Sequence, residues 1–102
     1  MLQGAVMNNE VLNRELDKII AISRNYNAKK ILLFGSCLND IEAAKDIDIA
    51  VSGITPRDFF KYYGAVSMAV SKDVDIIDLD DIKAHLRKRI LNSGKLLYES
   101  KL

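Results

Sequence analysis

The sequence is short of the residues that build disulfide, zinc and membrane proteins. It has one cysteine, Cys37, which excludes an internal disulfide framework and a cysteine-based zinc site, and points to a reducing, cytoplasmic setting. There is no tryptophan and only one proline, Pro56. His85 is the single histidine, so a histidine metal cage is ruled out, and with no carboxylate arranged around it His85 reads as a surface or boundary residue. No apolar run approaches the roughly 18 residues that a membrane helix needs. The opening MLQGAVMNNE lacks the basic and apolar regions of a signal peptide. Charge of one sign is missing too: 15 basic residues face 14 acidic ones, a net charge of +1, which argues against a broad nucleic-acid surface.

What remains is 102 residues, 49% of them apolar, enough for one small domain with a modest core. Residues 1–7 read as a loose lead-in. Asn8 or Asn9 caps a helix running to about Asn25, with Leu12, Leu16, Ile19 and Ile20 at helical spacing. Lys30–Phe34 has no polar alternation and reads as a strand buried on both faces, ended by Gly35-Ser36. Cys37–Ala44 is a short helix or a loop. Asp46–Val51 alternates, with Ile47, Ile49 and Val51 on one face and Asp46, Asp48 and Ala50 on the other.

Thr55-Pro56 opens a second long helix, with a capping hydroxyl and proline at the first position. Its stripe is Phe59, Tyr63, Val66 and Val70, which leaves Phe60 and Tyr62 as contact-surface candidates. Val74–Leu79 is a third strand, and Asp80 or Asp81 caps a last helix that ends near Gly94. Leu96-Leu97-Tyr98 is a final apolar patch. The order implies an α/β (α+β) domain: a mixed sheet of at least three strands, the first two antiparallel, with helices packed against it.

The chemistry gathers around acidic residues. Two aspartates at i and i+2 on a strand point to the same face about 6–7 Å apart, where like charges gain nothing from packing. They become useful beside a cation. Asp75 lies in an otherwise apolar strand, and if that strand neighbours Asp46–Val51, three carboxylates converge on a site for divalent cations. Nine residues separate Ser36 from Asp46. A glycine turn lets a phosphate approach the backbone, and the serine hydroxyl adds a hydrogen bond. The bland alternatives are a half-exposed strand that happens to carry two aspartates, and an ordinary Gly-Ser turn. Cys37 reads as a small buried thiol, and Arg87-Lys88-Arg89 as a solvated helix face.

The apolar strand ending in Gly35-Ser36, the Asp46-Ile47-Asp48-Ile49 strand and the later Asp75 together resemble the DNA polymerase beta-type nucleotidyltransferase superfamily. In size, and in the ending Leu86–Tyr98, the chain is similar to the minimal nucleotidyltransferases of prokaryotes. These are often the MNT antitoxins of HEPN–MNT toxin–antitoxin pairs. The resemblance spans roughly residues 10–98.

It implies that Gly35 and Ser36 hold a nucleoside triphosphate and that Asp46, Asp48 and Asp75 bind two Mg2+ ions. It also implies that Asp75 helps activate an attacking hydroxyl, and that AMP passes from ATP to a tyrosine of a HEPN-type toxin in a homo- or hetero-oligomer. The segment after Gly35-Ser36 is Cys37-Leu38-Asn39-Asp40, where many members carry arginines; Lys45, just before Asp46, or Arg24 or Lys29 is the candidate to supply the positive charge instead. A weakly catalytic module that neutralises its partner by binding alone is the alternative reading.

Overall fold

The computed structural model describes residues 7–101. Helix α1, Asn9–Asn25, starts where the Asn8 side chain accepts the Val11 amide at 2.8 Å, satisfying one of the orphan donors of the first turn. It ends at Tyr26, and the left-handed Asn27, φ 63°, redirects the chain into strand β1, Lys30–Phe34. A four-residue helix α2, Ser36–Asn39, and a 3-10 turn, Ile41–Ala43, lead to β2, Asp46–Ser52. Helix α3, Pro56–Ala69, precedes β3, Asp73–Asp78. A 3-10 turn, Leu79–Asp81, helix α4, Ala84–Ser93, and strand β4, Lys95–Glu99, complete the chain.

The sheet order is β3-β2-β1-β4. β1 pairs antiparallel with β2 and with β4, while β2 and β3 are parallel, so the sheet is mixed as the connections require. On one face α1 and α3 bury Leu12, Leu16, Ile19, Tyr62 and Val66 against Ile31, Ile47, Ile49, Val51, Val74 and Ile76. On the other, Ile90 of α4 closes a smaller core over Leu32, Ala50 and Leu79. β1 is central and covered on both sides, which is why its sequence does not alternate. No described helix is long and apolar enough to cross a membrane.

Five expectations need correction. Met7, expected in a loose lead-in over residues 1–7, is 1% exposed and belongs to the core; residues 1–6 lie outside the described residues. The terminal Leu96-Leu97-Tyr98 patch packs on the core through Leu97 and Tyr98 as expected, but as the middle of an unforeseen fourth strand, irregular where its register on β1 shifts between Ile31 and Leu32. Tyr62 is fully buried rather than a contact surface, because the helix turns Tyr62 and Val66 inward together. The Thr55 hydroxyl donates to the Asp58 carboxylate at 3.2 Å instead of capping a backbone amide. Asp80 and Asp81 lie in the 3-10 turn, and Lys83 is the residue before α4. Asp80 accepts the Gly53 amide at 2.9 Å and pairs with Arg87 at 3.5 Å, so it ties two loops together.

Two buried polar contacts join the elements. Glu15 is 3% exposed and accepts the Ser71 amide at 2.6 Å with Lys18 at 3.2 Å. Burial alone would raise its pKa; the Ser71 amide and Lys18 outweigh that and hold it below the ordinary value. Ser23 donates to the Ile19 carbonyl at 2.7 Å, and its oxygen lies 2.7 Å from the Tyr62 hydroxyl. The serine proton being committed to Ile19, Tyr62 is the donor between them.

Ser23→Ala therefore leaves a buried phenol without an acceptor and is expected to cost about 1–3 kcal/mol in urea unfolding. Adding Tyr62→Phe is expected to recover much of that loss; strictly additive losses would contradict the pairing.

Candidate active site

Gly35 ends β1 with φ 77°, a conformation that glycine enters without strain. A side chain there would overlap the Asp48 carboxylate, so the turn and the β2 aspartate occupy one small space. The Leu38 and Asn39 amides turn back to the Gly35 carbonyl at 3.1 and 3.2 Å. The amides of Ser36 and Cys37 come before the first intrahelical bond of this turn, where helical geometry offers them no acceptor. Ser36 and Lys45 are both exposed at the rim. Cys37 is buried, its thiol donating to the Asp46 carbonyl at 3.2 Å, which staples the turn to the start of β2. Burial first, then the charges of Asp48 and Asp46, push the thiol pKa up, so Cys37 is an anchor and not a thiolate nucleophile.

The parallel register sets Asp46 beside Asp73 and Asp48 beside Asp75. Asp48 also lies opposite Phe34, the last residue of β1. By strand alternation all four aspartates share the α4 face of the sheet with Ala50 and Ile77. Asp46, Asp73 and Asp75 are exposed and Asp48 is half-buried. Asp48 and Asp75 are register neighbours on adjacent strands: burial first, then the charges of Asp75 and Asp46 and the Asp75 side chain, raise the Asp48 pKa above its ordinary 3.8.

Asp46 is thus near enough to be felt by Asp48. Even so, among the described residues no three acidic, histidine or cysteine side chains are placed so that they could hold a metal ion together, so the expected convergence of Asp46, Asp48 and Asp75 on one cation is not seen. Asp73 was not singled out from sequence, although Asp73-Val74-Asp75 repeats the alternation of Asp46-Ile47-Asp48 one strand over. His85 is exposed on α4.

The ligand type, though not a preformed cage, is the one that Mg2+ takes. Carboxylate oxygens are the ligands that hard divalent cations take, and the raised Asp48 pKa marks negative charge that the surrounding protein leaves incompletely offset. Mg2+ keeps several waters and takes further ligands from a phosphate, so one or two protein carboxylates are enough to recruit it.

The family model described as polymerase beta, nucleotidyltransferase matches residues 17–101. No protein with curated function matches. The fold is similar to several solved structures. One, a toxin–antitoxin with AMP-PNP, is 27% identical over 83% of this chain and 73% of the other, with a TM-score of 0.69. A second, a tri-AMPylated HEPN toxin in complex with MNT antitoxin from Shewanella oneidensis, is 26% identical over 87% of this chain and 73% of the other, with a TM-score of 0.67. A third, a protein assigned as a minimal nucleotidyltransferase, is 24% identical over 92% of this chain and all of the other, with a TM-score of 0.76, and bears on the fold alone.

Because the folded state raises the Asp48 pKa, ionised Asp48 costs stability at neutral pH, and the cost is relieved as pH falls through that raised value. Asp48→Asn is expected to raise Tm at pH 7 without divalent cations, with a gain that shrinks toward pH 4. A lower Tm at pH 7 would contradict the charge crowding.

Proposed function

Since the chain belongs to the polymerase beta nucleotidyltransferase family, we propose that it is a Mg2+-dependent nucleotidyltransferase that moves AMP from ATP to a hydroxyl of a partner protein, as the antitoxin of a HEPN–MNT toxin–antitoxin pair. The observation that carries this is the pairing of Asp48 with Asp75 on neighbouring parallel strands, beside a glycine turn with no room for a side chain. The similarity to a toxin–antitoxin with AMP-PNP favours an adenine nucleotide, and the similarity to an AMPylated HEPN toxin with its MNT antitoxin favours a protein acceptor.

Asp46, Asp48 and Asp75 would hold two Mg2+ ions, which when bound supply charge stabilisation to the oxygens around the α-phosphate. The chain's own groups do the rest. The Ser36 hydroxyl and the first amides of α2 donate to phosphate oxygens, and Gly35 lets them come close. Lys45 adds positive charge at the rim. Asp75, more exposed than Asp48, accepts the proton of the attacking hydroxyl. The new bond forms between that oxygen and the α-phosphorus as the bond to the bridging oxygen breaks, and pyrophosphate leaves with the electron pair.

A second reading, neutralisation by binding alone with a weak nucleotide site, is favoured by one observation: Cys37-Leu38-Asn39-Asp40 supplies no guanidinium to the triphosphate.

The test is incubation with ATP labelled in the α-phosphate, Mg2+ and a HEPN-type toxin as candidate partner. Label is expected on the partner, and Asp46→Ala/Asp48→Ala is expected to reduce it by at least about 100-fold. Unchanged transfer by the double variant would overturn the assignment. Full neutralisation of the toxin by a double variant that transfers nothing would establish the binding-only reading.

A further inference from the structure

Among the described residues β3 is an edge strand, with β2 on one side and no strand on the other. An open edge presents unpaired backbone groups and twists freely unless something covers it. Here a single side-chain oxygen does so. The hydroxyl of Tyr63, projecting from α3, donates to the Val74 carbonyl at 3.3 Å and accepts the Ile76 amide at 3.3 Å. Those are the two residues that flank Asp75. The bridge spans the outer edge of the strand at the level where the inner edge meets Asp48. The tyrosine ring is itself held, edge-on to Phe59 with centroids 6.2 Å apart, so the oxygen has little freedom to follow a moving strand.

We infer that Tyr63 is a positioning residue: its hydroxyl fixes the backbone on both sides of Asp75 and thereby sets that carboxylate against Asp48. This rests on the transferase reading only for its effect on turnover. Asp75 sits on a strand with one neighbour, and a carboxylate that takes part in proton transfer has to be held within about 0.5 Å of its working position. Tyr63 substitutes for the missing neighbour at the single step of the ladder where that precision is needed. It touches neither nucleotide nor acceptor in this arrangement, since it reaches Asp75 through the peptide groups.

The test compares Tyr63→Phe with Phe59→Leu in the full chain. Tyr63→Phe keeps the ring and removes only the oxygen. Its Ile76 amide is expected to exchange with solvent about fivefold faster, the loss of one ordinary hydrogen bond, while β1 amides are unchanged. The Asp75 side-chain carboxyl 13C resonance is expected to move at fixed pH. In the transfer assay kcat is expected to fall about tenfold with KM for the nucleotide within about twofold of the parent.

Phe59→Leu disturbs the same aromatic packing and is expected to lower Tm while leaving the Asp75 resonance and the kcat-to-KM pattern intact. An unchanged Ile76 exchange rate, an unmoved Asp75 resonance, equal effects in the two variants, or a Tyr63→Phe chain that does not fold would each overturn the inference. The two spectroscopic readouts need no substrate, so an inactive parent would contradict the transferase reading and leave this one standing.

Discussion

Two aspartates forced side by side, Asp48 and Asp75, set the terms for the rest of the molecule. The parallel pairing of β2 and β3 makes them neighbours, and their mutual repulsion works against that pairing. The opposite face of the same two strands decides the outcome. Ile47, Ile49 and Val51 are completely buried there, and Val74 and Ile76 nearly so. Each such side chain contributes about 1.5–3 kcal/mol on burial, whereas like charges facing each other at a half-exposed position cost on the order of 1 kcal/mol or less. The aliphatic face therefore imposes the register, and the acidic face accepts the strain. A one-residue slip would turn the isoleucines to solvent, so the carboxylates cannot separate by shifting the strand.

The other parts of the site follow from that register. Once Asp48 is fixed, the end of β1 opposite it has room only for glycine, and Gly35 adopts the left-handed turn that starts α2. Cys37 then packs under the start of β2 and bonds the Asp46 carbonyl, coupling the turn to the strand it faces. On the far side, β3 is stiffened at both ends of its acidic segment. Glu15 holds the Ser71 amide just ahead of it, and Tyr63 bridges Val74 and Ile76. α1 and α3 thus act on the acidic face from the opposite side of the sheet, through backbone groups, without approaching it.

Much of this was legible in the residues. β1 declared itself by five residues without polar alternation, β2 by its period of two, and the acidic face by Asp-x-Asp followed by Asp75. The rest was hidden for identifiable reasons. β4 is a five-residue edge strand with lysine and glutamate at its ends, and only its long-range pairing with β1 makes it a strand. Tyr62 and Tyr63 both lie on plausible inward spacings of α3. Which was fully buried depended on Ser23 of a different helix offering an acceptor. Asp80 carries the chemistry of a helix cap, but its carboxylate is taken by Gly53 and Arg87. Asp73 was overlooked because only the strand register brings it level with Asp46.

The most direct measurement is anomalous diffraction from crystals of this chain grown with Mn2+ and a non-hydrolysable adenine nucleotide. Manganese peaks are expected against the carboxylates of Asp46, Asp48 and Asp75, with the triphosphate lying over Gly35 and Ser36. Crystals with the nucleotide bound elsewhere and no peak between β2 and β3 would contradict the claim that these two strands exist to bring their aspartates together around a metal.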